Sequence, residues 1–203
     1  MLSDYKNKTI VFFGDSITDT CKWYHQEHPY GAGFVNILKS EFDVSYPDLN
    51  IKVFNGGIGG NKTEDLILRF DQDVKSKKPD IVFLLIGIND IWHPYDKNIE
   101  PNINDIIYRI DQIITNIKNI NSKIVVLTPF LFPNNDYFNN LMPYFNNLSN
   151  EYLLYIKENN IEYIDLYKIM KKSNTFNITK DSVHPTLYGH GIIAQAIIEY
   201  LEK

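Results

Sequence analysis

The stretch Thr9-Ile10-Val11-Phe12-Phe13-Gly14-Asp15-Ser16-Ile17-Thr18-Asp19 decides the fold. Its first half is apolar without polar alternation, the pattern of a strand covered on both faces, as in a parallel sheet between helix layers. The run stops at Gly14 and passes directly to acidic and hydroxyl side chains. Further short apolar runs follow at 51–54, 81–86, 124–127 and 161–164, each rich in Val, Ile, Leu or Phe. Helical spacing fills the intervals. Phe34, Ile37, Leu38 and Phe42 share one face, and Leu66, Ile67, Phe70 and Val74 another. Ile103, Ile106, Ile107, Ile110, Ile113, Ile114 and Ile117 make the clearest stripe, and 141–156 and 192–201 supply two more helices. Strands alternating with helices predict an α/β protein, a three-layer α/β/α sandwich on a five-stranded parallel sheet. No stretch rich in Pro, Gly or Ser is long enough for a linker and no repeat is present, so residues 1–203 are expected to form a single domain.

The composition suits such a domain. Its 203 residues are 44% hydrophobic and 22% charged, which excludes intrinsic disorder. The net charge of −5 is the wrong sign for a general phosphate-backbone binder, so no nucleic-acid partner is expected. No apolar stretch reaches bilayer length and the opening residues Met1 to Lys8 carry no apolar run, so neither a membrane partner nor a secretory signal is expected. The single cysteine, Cys21, cannot form an internal disulfide, which agrees with a cytoplasmic location. Composition leaves monomer and homo-oligomer both open.

In a parallel α/β sheet, ligands sit beyond the carboxyl ends of the strands. Gly14-Asp15-Ser16-Ile17-Thr18 follows the first strand, Asn55-Gly56-Gly57-Ile58-Gly59-Gly60-Asn61 the second, and Gly87-Ile88-Asn89-Asp90 the third. Asp181-Ser182-Val183-His184-Pro185 precedes the last helix. Together they offer a hydroxyl, flexible backbone, a carboxamide and a carboxylate–imidazole pair, the parts needed for acyl transfer. Ser16 needs a base to become nucleophilic, and His184 is the candidate. Asp181, three residues earlier, can fix its tautomer and stabilise imidazolium. The oxyanion formed by attack on an ester needs neutral donors, for which the N–H of Ser16, the N–H of Gly57 and the side-chain amide of Asn89 are the candidates. No metal and no cofactor is expected. Asp15 is read both as a helix N-cap and as a substrate contact.

These four blocks resemble those of the SGNH (GDSL-like) hydrolase family, although Ser16 lacks the Gly-x-Ser-x-Gly elbow of α/β-hydrolases. The resemblance implies a flavodoxin-like fold. It carries over Ser16 as nucleophile, Gly57 and Asn89 as oxyanion donors, and His184 with Asp181 as the base pair. Phe13 to Asp19, Lys78-Pro79-Asp80, Ile86 to Trp92, Thr128-Pro129-Phe130, His184-Pro185-Thr186 and Gly189-His190 look like the bacterial acetylxylan esterase branch. That likeness implies a serine esterase removing small acyl groups, acetyl above all, from a carbohydrate such as a xylo-oligosaccharide, with Trp92 stacking on the sugar. Gly59-Gly60, where Ser-Gly is commoner, and Trp92-His93, where arginine would be commoner at the second position, depart from that branch.

Other readings compete. Within the family, a lipase, lysophospholipase or thioesterase would use the same blocks on a longer acyl chain. Outside it, a non-catalytic carbohydrate-binding protein would need only the aromatic residues. Residues 56–63 differ from a nucleotide-binding P-loop mainly at Asn61, which would make Lys62 a phosphate ligand. Cys21, His25 and His28 are too few for a closed zinc site and are read as surface-loop residues. Trp23, Tyr30, Trp92 and Tyr95 are read as loop aromatics near the site.

Overall fold

The computed structural model describes residues 2–22, 28–173 and 177–203. Strands β1 (Thr9–Gly14), β2 (Lys52–Gly57), β3 (Ile81–Leu85), β4 (Lys123–Leu127) and β5 (Glu162–Ile164) form one sheet in the order β2-β1-β3-β4-β5, every neighbouring pair parallel. The described helices are α1 (Ser16–Asp19), α2 (Phe34–Ser45), α3 (Thr63–Asp73), α4 (Ile88–Asp96), α5 (Ile103–Asn119), α6 (Asp136–Glu158), α7 (Leu166–Lys171) and α8 (Leu187–Leu201). The five-stranded α/β fold expected from the apolar runs is therefore present. Among the described residues no helix is long and apolar enough to cross a membrane.

Burial follows strand position. All five residues of the central β3 are buried, whereas the edge strands β2 and β5 each leave residues exposed. Phe12 stacks on Phe83 at 5.2 Å and meets Phe34 edge-on at 5.5 Å, joining β1, β3 and α2. Burying each such ring stabilises the fold by about 2–3 kcal/mol. The isoleucine stripe of α5 faces inward at Ile103, Ile106, Ile110, Ile113, Ile114 and Ile117. The helices gather into two sets, α3 packing on α5 and α5 on α6, while α2 packs on α8 and α8 on α7.

The strand order reverses direction between β1 and β3, and a crevice opens at the carboxyl ends where such a reversal occurs. Ser16 leaves β1 on one side of that crevice, and Ile88 and Asn89 leave β3 on the other. Between β3 and α4 the chain turns at Gly87 with φ +127°, a backbone that disfavours any L side chain. Residues 88–96 are helical, so Asn89, Trp92 and Tyr95 sit on α4 and not in a loop. Pro94, which cannot donate to the carbonyl four residues back, hides the helical pattern in the sequence. Helix α6 likewise begins at Asp136, earlier than the apolar spacing indicates, with the Asn135 side chain accepting from Phe138 N–H at 3.1 Å and Pro143 inside it.

A buried histidine adds an acid-labile element to this frame. His190 of α8 is 5% exposed, and its Nδ1 accepts the Phe34 N–H at the start of α2 at 3.3 Å. Burial, aided by the charges of Lys180 and His184, pushes its pKa down to about 4. The unfolded chain takes up this proton near the ordinary imidazole value, so between about pH 6.5 and 4 it binds more protons than the folded chain. Stability is consequently lost as pH falls through that window, by roughly 2–3 kcal/mol from this residue. His190→Gln is expected to flatten the dependence of Tm on pH between 7 and 4.5, and a variant with the wild-type slope would remove His190 as its source.

Candidate active site

Ser16 is the first residue of α1, a helix of one turn that starts where β1 ends. Asp15 is its N-cap, with Oδ1 accepting the Ile17 N–H at 2.9 Å. Because Asp15 is 1% exposed, its carboxyl lies beneath the site, which corrects its reading as a substrate contact. Burial, opposed by the Ile17 bond and reinforced by the charge of Asp90, raises the Asp15 pKa to about 7.

The Ser16 Oγ lies 2.8 Å from His184 Nε2. His184 Nδ1 lies 2.8 Å from Asp181 Oδ2, and Asp181 Oδ1 accepts the backbone N–H groups of His184 at 2.8 Å and Val183 at 3.2 Å. Burial alone would raise the Asp181 pKa, but these bonds and the neighbouring imidazole outweigh it and hold the carboxyl below its usual range. An ionised carboxylate only accepts hydrogen bonds, so the imidazole proton belongs on Nδ1 and Nε2 is left to accept from the serine. The segment carrying the pair is pinned by Ser182, which is fully buried at φ +79°. Its Oγ donates to Asn134 Oδ1 at 2.7 Å and accepts the Asn134 N–H at 3.0 Å.

The glycine loop meets Ser16 from the side of β2. Gly57, read from the sequence as an oxyanion donor, instead gives its N–H to Asn55 Oδ1 at 2.9 Å. A Cβ on Gly57 would lie 2.2 Å from Asp19 N, so this glycine permits close packing of β2 on α1. Asn55 also donates to the Thr18 and Tyr30 carbonyls. Farther along, Ile58 N–H donates to Gly14 O, Gly59 N–H to Asp19 Oδ2 and Asn61 N–H to Ile58 O. The N–H groups of Ser16 and Gly60 have no acceptor among the described residues. Asn89 Nδ2 gives one hydrogen to the Asn61 carbonyl at 3.0 Å and keeps a second. A Cβ on Gly59 would lie 4.0 Å from Ser16 Cβ, so Gly60 runs between the Ser16 hydroxyl and the Asn89–Asn61 contact.

Two buried networks missed by sequence reasoning frame this loop. Asp90, 3% exposed, accepts from Thr63 N–H at 3.0 and 3.2 Å and from Thr63 Oγ1 at 2.5 Å. Arg109 reaches both, 2.7 Å from Thr63 Oγ1 and 3.5 Å from Asp90 Oδ1. Burial raises the Asp90 pKa against the Thr63 bonds and the Arg109 charge. Arg69 forms the second network, on the β1–β2 side. The nucleotide-binding reading fails here, because carboxylates occupy N–H groups that phosphate would need: Asp19 at Gly59 and Asp90 at Thr63. Lys62 pairs with Glu64.

Trp92 stands beside the imidazole, ring centres 6.2 Å apart, and meets Phe138 edge-on at 5.2 Å. Tyr137 packs on Phe138, and Tyr95 on Tyr137 and Tyr144, so one rim of the site is aromatic. Gly60 faces His93, whose Cε1 would lie 3.7 Å from a Cβ there. Cys21 and His28 are exposed; Trp23 and His25 lie outside the described residues.

The family model for GDSL-like lipase/acylhydrolase matches residues 10–197. An acetylxylan esterase of Geobacillus stearothermophilus is 30% identical over 203 residues, covering 93% of this chain and 91% of that protein. The crystal structure of Axe2, an acetylxylan esterase from the same organism, superposes with a TM-score of 0.82 at 28% identity, covering 98% of this chain and 95% of the other. Structures of catalytic mutants of Axe2, in which an aspartate, a serine or a histidine is replaced by alanine, superpose with TM-scores of 0.82, 0.81 and 0.82 at 27% identity. A candidate GDSL-like lipase from Parabacteroides merdae ATCC 43184 shares the fold, with a TM-score of 0.87 at 24% identity over 97% of this chain and 96% of the other.

Proposed function

Since the chain belongs to the GDSL-like lipase/acylhydrolase family, an SGNH-type carboxylic ester hydrolase, we propose that it removes small acyl groups, acetyl foremost, from carbohydrate through Ser16, His184 and Asp181. The observation that carries this reading is the unbroken chain of 2.8 Å contacts from the Ser16 hydroxyl through the imidazole to the Asp181 carboxylate. In the first half-reaction Ser16 Oγ attacks the ester carbonyl as its proton passes to His184 Nε2. The tetrahedral oxyanion is met by the Ser16 N–H, the Gly60 N–H and the free amide hydrogen of Asn89. Collapse breaks the bond to the sugar oxygen, which leaves with the proton from His184, and the acyl group stays on Ser16. Water then enters, gives a proton to His184, and attacks the acyl-enzyme. Collapse of the second tetrahedral intermediate breaks its bond to Ser16 Oγ, which takes the proton back from His184 Nε2, so the serine hydroxyl is regenerated and the carboxylic acid departs.

The carbohydrate substrate rests on two supports. The acetylxylan esterase relative is 30% identical across nearly the whole chain, and Trp92 offers an aromatic face next to the imidazole, where a sugar leaving group would pack. A panel of acetylated xylo-oligosaccharides and p-nitrophenyl esters of increasing chain length tests it. Xylo-oligosaccharide deacetylation is expected, with kcat/KM on the p-nitrophenyl esters falling about 10-fold or more from acetyl to octanoyl. A rise with chain length would instead assign a lipase, lysophospholipase or thioesterase.

A further inference from the structure

Arg69 is the most heavily bonded side chain near the site, and the chemistry described above gives it no part. Its guanidinium lies across the carboxyl ends of β1 and β2 with its side chain only 12% exposed, over the Phe13 ring at 4.6 Å. Four acceptors surround it. Nη2 donates to the Gly14 carbonyl at 2.8 Å, Nη1 to the Gly56 carbonyl at 2.8 Å and to Asp73 Oδ2 at 2.6 Å, and Nε to Asn61 Oδ1 at 2.7 Å. The Gly14 carbonyl immediately precedes Asp15-Ser16. The Gly56 carbonyl precedes the glycine loop. Asn61 closes that loop, and its own carbonyl holds the Asn89 carboxamide at 3.0 Å.

A fork of donors in fixed geometry can set the mutual positions of several acceptors at once, which a lysine ammonium cannot. An amide side chain held at one end only would rotate about its terminal torsion, which is broad. We propose that Arg69 is a positioning residue for ester cleavage, aiming the Asn89 amide through Asn61. This inference rests on the reading of Asn89 as an oxyanion donor. A donor misplaced by a fraction of an ångström loses most of its value in the transition state but little in the ground state, so the effect belongs in kcat.

Arg69 also lines a groove of about 700 Å³ bordered by Tyr30, Phe54, Gln72, Asp73 and Lys77. Removal of the side chain to Cβ therefore leaves a space that a guanidinium ion can enter from solvent. Arg69→Ala is expected to lower kcat on p-nitrophenyl acetate by about 30-fold with KM within about threefold. In an Asn89→Ala background the same substitution should change kcat by less than about threefold, because the group it acts through is gone. Millimolar guanidinium chloride, but not sodium chloride, should restore several-fold activity to Arg69→Ala and none to the double variant. If Arg69→Ala does not fold, Arg69→Lys, which retains the charge without the fork, runs through the same cycle. An equal loss of kcat in both backgrounds, or no loss, overturns the inference while leaving the oxyanion assignment standing. Wild-type kcat in Asn89→Ala alone would instead overturn that assignment, and the inference with it.

Discussion

Ser16→Ala and His184→Ala are each expected to lower kcat by about three or more orders of magnitude while leaving the fold intact. In the proposed mechanism the serine supplies the atom that becomes acylated, and no other hydroxyl is held 2.8 Å from His184 Nε2 among the described residues. Alanine there leaves water as the only nucleophile, with the oxyanion donors still in place, so activity falls to a residual level and not to zero. Loss of the imidazole leaves Ser16 protonated at neutral pH and the departing sugar oxygen without a proton donor. The two losses should not add, since nucleophile and base act in one step, and the double variant should resemble either single one. Neither substitution removes a core contact, because both side chains are partly exposed, so Tm should shift little. Turnover of p-nitrophenyl acetate by purified Ser16→Ala within tenfold of wild type would remove the mechanism.

How much of this was legible without coordinates depended on the physical range of each signal. Strands β1, β3 and β4 are buried on both faces, and apolar runs mark them to within a residue or two. The isoleucine stripe of α5 is as plain, because one helix face must meet the sheet along its whole length. Helix α4 was hidden for the opposite reason. It is nine residues long, carries a proline, and has Asn89-Asp90 in its first turn, a pair that passes equally well for a turn.

The site divides in the same way. Ser16, Asp181, His184 and Asn89 could be picked out as candidates because their side-chain chemistry announces itself. The glycine loop was harder, since backbone N–H groups look alike in sequence and only the partner of each distinguishes them. Gly57 gives its N–H to Asn55, while Gly60 keeps its own free among the described residues. Asp15 holds as a cap but not as a substrate contact, because its neighbourhood to the nucleophile is legible in sequence and its burial is not. The buried networks of Arg69 and of Thr63, Asp90 and Arg109 left no readable mark as networks, because polar and charged side chains spaced along helices ordinarily face water.

Asn89→Ala is expected to lower kcat by roughly two to three orders of magnitude with KM little changed. The argument turns on when the charge appears. In the bound ester the carbonyl oxygen is nearly neutral, so a neutral amide gains little from it. In the tetrahedral intermediate that oxygen carries a full negative charge, and a hydrogen already aimed at it needs no reorganisation. The Asn89 amide is so prepared: the Asn61 carbonyl takes one hydrogen at 3.0 Å, the residue is 3% exposed, and Asp90 next to it is bound to Thr63 and Arg109. Asn89→Asp tests charge against shape. It keeps the volume but puts an acceptor where a donor is needed, and when ionised it faces both the Asn61 carbonyl and the developing oxyanion. It should therefore be at least as impaired as Asn89→Ala at neutral pH. Aspartate activity above that of alanine at neutral pH would mean that Asn89 holds the loop in shape and that the negative charge is met elsewhere.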